Sequence, residues 1–290
     1  MREFVIATDS DVEIPYTFAE KYDMPVFLMP YTVDGKESLF DLGKTTDFDA
    51  FYKQLADGAE AATSTRPPSD IEDFFREIAK TGKDILQLSF SSQLSAHFSY
   101  CEMAAEIVRK EFPDVRIELV DTLRISVGAG LLVMQAQEMK EDGAGLDEIK
   151  TWVLENIGRA HAWFSVDDLG FLKKGGRVSG TAAMVGTILG VKPILKISRE
   201  GKIVSADKVK GSKNVAKFFV DVVSKYIEEP QTQIVYVAHA GAKQSAQRVA
   251  ELIGEAVKCK DIQIVDIGPV IGCHTGPGAL AVAFMGTACD

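Results

Sequence analysis

Several motifs that mark common enzyme classes are absent from this 290-residue sequence. It contains no G-x-S-x-G nucleophile elbow, no GxxxxGK[ST] phosphate loop and no G-x-G-x-x-G dinucleotide motif. The four histidines do not have HxxxH or HExxH spacing. Asp9 and Asp121 follow predicted strands, where capping helices or ordering loops is a simpler role than binding a cation. We therefore expect no cofactor, no metal and no catalytic residues.

Cysteine and positive charge are also scarce. The four cysteines (Cys101, Cys259, Cys273 and Cys289) lack CxxC spacing, which favours free reduced thiols over disulfides or a metal site. Lysine and arginine number 32 against 42 aspartates and glutamates, a net charge of −10. An acidic chain of this kind is not expected to bind nucleic acid, because phosphate neutralisation needs a basic face.

Long apolar runs are missing as well. No uncharged apolar run reaches the roughly 18 residues that a membrane-spanning helix needs. The N-terminus enters a strand-like run, Phe4–Ala7, without the basic and apolar regions of a signal peptide. We expect a cytoplasmic protein with at most transient membrane contact.

The order of apolar segments predicts an α/β protein of two domains. Residues 1–158 alternate short β-branched runs with amphipathic helices, which predicts an N-terminal mostly parallel sheet with helices on both faces. Residues 159–290 combine hairpins with helices, which predicts a C-terminal α/β domain with a mixed sheet. Ligands of such sheets bind at the carboxyl ends of the strands, where polar segments are expected to meet. These segments, each of which could alone be a helix cap, are Thr8–Ser10, Thr63–Thr65, Ser91–Ser95 and Asp121–Ser126.

The stretch from Leu169 to Leu195 has two halves of opposite character. Lys173, Lys174 and Arg177 surround a glycine pair, which predicts a flexible basic loop. The segment 182–189 has no charged residue and predicts a helix covered on every side. A cationic loop before an apolar helix suits a ligand with an anionic head and an apolar body. A core helix after a solvated basic turn fits the same residues.

His274 lies in a predicted loop with Gly272, Gly276 and Gly278 close by. Such a loop allows a ligand to approach the backbone closely. A histidine there can donate a hydrogen bond to a carboxylate or a phosphate. The residues alone fit equally well a structural turn whose histidine faces solvent.

Six segments together resemble the DegV family, the fatty-acid-binding subunits of bacterial fatty acid kinase systems. Each segment is weakly specific, but their order over nearly the whole chain is a strong signal. They are TDSDVEIP (8–15), TSTRPPS (63–69), SSQLSAHFSY (91–100), VDTLRISVGAG (120–130), LKKGGRVSG (172–180) and IGPVIGCHTGPG (267–278).

The resemblance implies a lipid carrier without catalytic activity of its own. An acyl chain would lie in a tunnel between the two domains, and a separate fatty acid kinase would phosphorylate the bound carboxylate to an acyl phosphate for phospholipid synthesis. By motif, Ser95 and His274 would bind the carboxylate together with a hydroxyl of either Thr63 or Ser64. Arg177 would lie near the head group or on the kinase-docking surface.

The resemblance also gives the charge-free helix a role. Met184, Ile188 and Leu189 would line the acyl tunnel, and the flexible methionine suits tails of different shapes. The sequence departs from the family pattern after Ser95, where Ala96 and His97 replace the usual glycine and threonine. This extra bulk affects the expected shape of the head-group pocket.

Two other functions fit the same residues. One is an enzyme that acts on a small phosphorylated metabolite, with the basic loop as phosphate site and His274 as acid or base. The other is a transport or regulatory lipid-binding protein that has no kinase partner. A long apolar tunnel argues against the first, and a kinase that co-purifies with the protein would argue against the second.

Overall fold

The computed structural model describes residues 2–177 and 190–288. The strands in these residues are β1 (Phe4–Asp9), β2 (Val26–Phe27), β3 (Pro30–Val33), β4 (Lys36–Leu39), β5 (Ala61–Thr63), β6 (Asp84–Ser89), β7 (Ile117–Asp121), β8 (Ala160–Ser165), β9 (Val191–Ile197), β10 (Ile203–Lys210), β11 (Ile234–His239), β12 (Asp261–Asp266) and β13 (Leu280–Met285). The helices are α1 (Tyr16–Lys21), α2 (Phe48–Ala56), α3 (Pro68–Ala79), α4 (His97–Glu111), α5 (Val127–Glu141), α6 (Leu146–Asn156), α7 (Leu169–Lys174), α8 (Ser212–Tyr226), α9 (Lys243–Ala256) and α10 (Pro269–Thr275).

The first sheet has the order β2-β1-β6-β7, and every neighbouring pair in it is parallel. Strand β6 is buried along its whole length, as expected for a central strand covered by helices on both faces. The predicted parallel N-terminal sheet is therefore confirmed. Strands β1, β6 and β7 lead into three of the four polar segments that were expected to meet, and the fourth, Thr63–Thr65, follows β5.

The second sheet has the order β10-β9-β8-β13-β11-β12. Strands β11 and β12 run parallel, and the other neighbouring pairs are antiparallel, which confirms the predicted mixed sheet. Helices α8 and α9 cover one face through a core that includes Phe219 and Ile253. The last strand of the first sheet ends at Asp121 and β8 begins at Ala160, while a domain division at residue 158 stays a prediction.

A third sheet, β4-β3-β5, is small and antiparallel. Strands β3 and β4 form a hairpin that turns at Asp34 and Gly35, while β2, just before β3 in the chain, belongs to the first sheet. Strand β5 and helix α2 pack against α10, and the Tyr52 hydroxyl donates to the Ile267 carbonyl at 2.6 Å. This part of the first half therefore packs directly on the second half.

Helix α5 lies between the two large sheets and contacts strands of both. A Cβ atom on Gly128 would come within 2.9 Å of the Ala162 side chain. A Cβ atom on Gly130 would come within 2.6 Å of the Val12 carbonyl oxygen. These glycines allow close packing of α5, since a larger residue at 128 would push the helix away from the second sheet and one at 130 would push it away from the turn after β1.

One local prediction is wrong. Residues 169–174 form helix α7, so Lys173 and Lys174 belong to a helical turn and the loop begins at Gly175. The predicted helix 182–189 lies outside the described residues.

Candidate functional site

A cavity of about 210 Å³ lies where the carboxyl ends of the first sheet meet the second sheet and α10. Most of its wall is apolar, and the residues come from strands β5, β8, β9, β10 and β13, from helices α5, α7 and α10, and from the loops next to these elements and after β1, β2 and β6. The apolar lining residues are Met29, Phe90, Leu94, Ile125, Val127, Ala162, Phe164, Leu172, Ile197, Ile203, Ile267, Val270, Ile271, Ala279 and Ala281. The polar lining residues are Asp11, Thr63, Ser64, Thr65, Ser95, Ser126, Arg177, His274 and Thr275.

Four of the polar residues form two hydrogen-bonded pairs. One pair joins the two halves of the chain, and the other lies within the first half. The Thr63 hydroxyl, at the end of β5, lies 2.8 Å from Nε2 of His274 in the last turn of α10. The hydroxyls of Thr65 and Ser95 are 3.4 Å apart. Ser64 lines the same cavity. The structure thus brings together the hydroxyl and histidine residues that the sequence analysis assigned to the carboxylate site.

Arg177 joins this polar cluster from the loop after α7. Its Nε donates to the carbonyl of Leu94 at 3.1 Å, next to Ser95, and its Nη1 donates to the carbonyl of Gly175. Its charge acts on both His274 and Asp11, which places the three side chains in one electrostatic environment. Arg177 therefore lies at the polar part of the cavity wall, beside Ser95.

His274 is held as a neutral imidazole. Burial, together with the positive charge of Arg177, lowers the pKa of His274 to about 4. Its Nδ1 is buried and has no hydrogen-bond partner within residues 2–177 and 190–288. Gly175 lies against this ring so closely that a Cβ atom there would overlap Nδ1. The predicted loop around His274 is wrong, because His274 lies on α10, which begins after Gly268 and ends at Gly276.

A turn after β1 places three acids beside the cavity. Asp9 accepts hydrogen bonds from the N–H groups of Asp11 and Phe90, so its expected loop-ordering role is confirmed. Burial raises the pKa of Asp9 and of Glu13 to about 7 and raises the pKa of Asp11 well above its usual range. Glu13 accepts from the Ser126 hydroxyl and from the N–H of Gly268.

Asp121 has the corresponding role at the end of β7. Its carboxylate accepts hydrogen bonds from the N–H groups of Ser92 and Leu123, which confirms that it orders the loops of this sheet edge. The Ser91 hydroxyl donates to the carbonyl of Gly201 at 2.8 Å, at the tip of the β9–β10 hairpin. This contact fixes the hairpin against the first sheet, where Ile197 and Ile203 contribute to the cavity wall.

The bulk of His97 does not enter the cavity. Its side chain is buried, stacks between the rings of Phe27 and Phe90, and has Nε2 3.8 Å from Asp9. Burial lowers the pKa of His97 to about 4, so the ring is neutral at physiological pH. The departure from the family pattern at His97 therefore changes the packing beneath the cavity rather than the cavity lining.

Four polar lining residues were not among the predicted site residues: Asp11, Thr65, Ser126 and Thr275. Asp11, Thr65 and Ser126 belong to polar segments that follow β1, β5 and β7. The expectation that ligands bind at the carboxyl ends of strands therefore pointed to their location. Met184, Ile188 and Leu189, the predicted tunnel residues, lie outside the described residues. Within the described part of the chain, no group of three or more histidine, cysteine or acidic side chains could hold a metal ion. No helix there is long and apolar enough to cross a membrane.

The chain is similar to known proteins both in sequence and in structure. The model of the DegV family, described as an uncharacterised protein family, matches residues 3–287. A DegV domain-containing protein of Clostridium perfringens is 38% identical over 99% of this chain and 98% of its own length.

Two solved structures have the same fold over almost the whole chain. A fatty-acid-binding DegV family protein from Thermus thermophilus is 26% identical, with a TM-score of 0.86 over 98% of this chain and 100% of the other. A fatty-acid-binding DegV family protein from Streptococcus agalactiae is 26% identical, with a TM-score of 0.84 over 99% of this chain and 100% of the other.

Proposed function

This chain belongs to the DegV family, and from that premise we propose that it binds a long-chain fatty acid and presents the carboxylate to a partner fatty acid kinase. The observation that carries the proposal is an apolar cavity with a hydrogen-bonded polar cluster in its wall. The fatty-acid-binding relatives from Thermus thermophilus and Streptococcus agalactiae support the choice of ligand.

The acyl chain supplies most of the affinity in this proposal. Each buried methylene contributes about 0.8 kcal/mol. A charge-assisted hydrogen bond to the carboxylate contributes about 1.5–3 kcal/mol. Ten or more methylenes therefore outweigh the hydrogen bonds of the head group. The apolar wall holds the tail, and the polar cluster fixes the position of the carboxylate along the cavity.

The hydroxyls donate to the carboxylate, and His274 orients one of them. In the tautomer that carries its proton on Nε2, neutral His274 donates to Thr63, which leaves the Thr63 hydroxyl proton for the ligand. Ser95 donates a second hydrogen bond to the carboxylate. In the Thr63–Thr65 segment, Thr63 rather than Ser64 supplies the main hydroxyl that binds the carboxylate. Arg177 stabilises the negative charge from the side of the opening.

A polar groove next to the cavity supports delivery to a kinase. It shares Leu94, Ser95 and Arg177 with the cavity and adds Ser92 and Lys202, so the carboxylate end lies beside a basic surface opening. A phosphoryl donor held by a partner could approach the bound acid from this side. The chain itself carries no catalytic residue in this proposal, and catalysis takes place in the kinase.

The proposal is tested first by native mass spectrometry of the purified protein, followed by organic extraction and lipid analysis. We expect one long-chain fatty acid per chain. The loaded protein is then mixed with a fatty acid kinase catalytic subunit and ATP, and acyl phosphate is measured. A ligand-free mass that does not change on incubation with fatty acids would contradict fatty-acid binding, and a loaded protein that yields no acyl phosphate would contradict presentation to the kinase.

The two alternative functions have distinct outcomes in the same experiments. An enzyme acting on a small phosphorylated metabolite would bind phosphate esters and leave the apolar wall empty, which the cavity lining disfavours. A transport protein without a kinase partner would bind the acid but give no acyl phosphate with the kinase. Neither alternative has an observation that favours it over the carrier.

A further inference from the structure

Asp11 lies in the wall of the fatty-acid cavity, and the described residues leave one oxygen of its carboxyl group without a hydrogen-bond partner. The residue is only 3% exposed, and its Oδ1 has no hydrogen-bond partner within the described residues. Its backbone is fully engaged, because its N–H donates to Asp9 and its carbonyl accepts from the N–H of Ser126. The fold thus fixes Asp11 at the cavity while leaving this carboxyl oxygen available.

The surrounding charges oppose an ionised Asp11. Asp9 and Glu13 face it from its own turn, and Cys273 faces it from α10. Arg177 is a cation that acts on it, but the guanidinium hydrogen bonds that Arg177 makes to described residues go to backbone carbonyls. Burial therefore raises the pKa of Asp11 well above its usual range. A buried acid in this setting stays neutral and keeps its proton.

A neutral carboxyl group has one O–H donor, which needs an acceptor when it is buried. The ligand carboxylate would arrive at the same polar cluster, where Arg177 acts on both Asp11 and His274. We propose that Asp11 is a further carboxylate-binding residue, which donates its carboxyl O–H to the bound fatty acid, so that the two carboxyl groups hold one proton between them. This inference rests on the proposed fatty-acid binding.

The proposal has a direct consequence for the pH dependence of affinity. As the pH rises through the raised pKa of Asp11, the donor is lost and two negative charges face each other, so affinity falls. One linked proton gives log Kd a slope of about one against pH in that range. A ligand that lacks a negative charge does not meet this repulsion.

The experiment measures the Kd of palmitate for the delipidated full-length protein over a range of pH. The variants are Asp11→Asn, which keeps a donor at every pH, and Asp11→Ala, which removes it. We expect Asp11→Asn to bind palmitate with near wild-type affinity at low pH. The slope of its log Kd against pH should be about one unit smaller than that of the wild type. Asp11→Ala should bind about tenfold more weakly or worse, because a charge-assisted hydrogen bond is lost.

Two controls separate this role from a structural one. Asp84→Asn removes another buried acid, at the opposite end of the first sheet, and should leave the pH profile unchanged. The primary alcohol with the same chain length should bind the wild type without the pH slope that palmitate shows.

Three results would overturn the inference. Parallel pH profiles for wild type and Asp11→Asn, or equal slopes for palmitate and the alcohol, would refute it while fatty-acid binding stands. A wild-type protein that binds no palmitate at any pH would remove this inference together with the proposed function.

Discussion

Glu13 and Gly268 are joined by a hydrogen bond although 255 positions separate them in the chain. The N–H of Gly268, the residue before α10, donates to one carboxylate oxygen of Glu13, and the Ser126 hydroxyl donates to the other. Glu13 has φ of 51°, in the left-handed region that non-glycine residues rarely adopt. Because α10 carries His274, this contact fixes His274 relative to the first sheet.

The first prediction concerns Glu13→Gln and the pH dependence of stability. Burial raises the pKa of Glu13 from its model-peptide value of 4.5 to about 7 in the folded protein. A raised acid pKa stabilises the fold below the unfolded pKa, and this contribution is lost as pH rises through the folded pKa. Glutamine mimics the protonated acid, so wild type should lose free energy of unfolding relative to Glu13→Gln between about pH 4.5 and pH 7.

Urea unfolding of both proteins at a series of pH values measures this difference. Glu37→Gln, which changes an exposed glutamate on β4, is the control and should give a curve parallel to wild type. A constant difference between wild type and Glu13→Gln over the whole range would show that Glu13 does not carry a raised pKa.

The second prediction concerns the contact between Gly175 and His274. Gly175 has φ of −73°, so alanine fits its backbone conformation, and the only penalty of Gly175→Ala is overlap with the imidazole ring. Overpacking of this kind costs about 1–3 kcal/mol. The ring should move away from Thr63, and fatty-acid affinity should fall by about tenfold.

Isothermal titration with palmitate, together with thermal unfolding, tests this expectation. Gly158→Ala is a matched control, because the atom nearest to its new Cβ would be 4.0 Å away. If Gly175→Ala binds palmitate as tightly as Gly158→Ala does, the position of the ring does not matter for the ligand.

The parts of the fold that the sequence predicted correctly depend on local patterns. Strands β1, β6 and β7 are β-branched or aliphatic runs that end in polar residues, and parallel strands bring those ends together at one edge. Thr63, Ser95 and His274 meet because each lies at such an edge or faces it. The local sequence pattern was therefore enough to predict where the site lies.

The parts that were missed depend on contacts between distant residues or on ambiguous turn signals. Pro269 and Gly276 were interpreted as loop residues, but they mark the first turn and the end of α10, where proline and left-handed glycine are favoured. The contact between Glu13 and Gly268 leaves no local signal, because its partners lie in different halves of the chain. The sequence also did not predict that α2 and β5 pack against α10, because this packing again joins residues from different halves of the chain.

The third prediction concerns the tip of the β9–β10 hairpin. Ser91→Ala removes the hydrogen bond to the carbonyl of Gly201 and leaves that carbonyl without this donor. A loss of about 1–3 kcal/mol in the free energy of unfolding is expected, because the site is buried. Since Ile203 of the same hairpin lines the cavity, bound fatty acid should also dissociate faster.

Stopped-flow transfer of a fluorescent fatty acid to an acceptor vesicle measures the dissociation rate. Ser99→Ala is the control, because the Ser99 hydroxyl also donates to a backbone carbonyl, that of Ala96, but at an exposed position. Equal dissociation rates for the two variants would mean that the hairpin tip does not limit release of the ligand.

The fourth prediction separates binding from presentation. The acyl chain carries most of the affinity, so removal of one head-group hydrogen bond should weaken binding by only about tenfold. Phosphoryl transfer requires the carboxylate at a fixed position, and a small misplacement costs far more in rate. Thr63→Val, Ser95→Ala and His274→Ala should therefore all retain bound fatty acid and yet abolish acyl phosphate formation by the kinase.

Two measurements on each variant decide the outcome: the fatty acid content of the purified protein and the rate of acyl phosphate formation with the kinase. Thr63→Ser keeps the hydroxyl that lies 2.8 Å from His274 and should retain most of the rate, whereas Thr63→Val has the same shape without that hydroxyl. Normal rates in Ser95→Ala and His274→Ala would show that these residues do not position the carboxylate. Loss of bound fatty acid in step with the rate would instead mean that the head group sets the affinity.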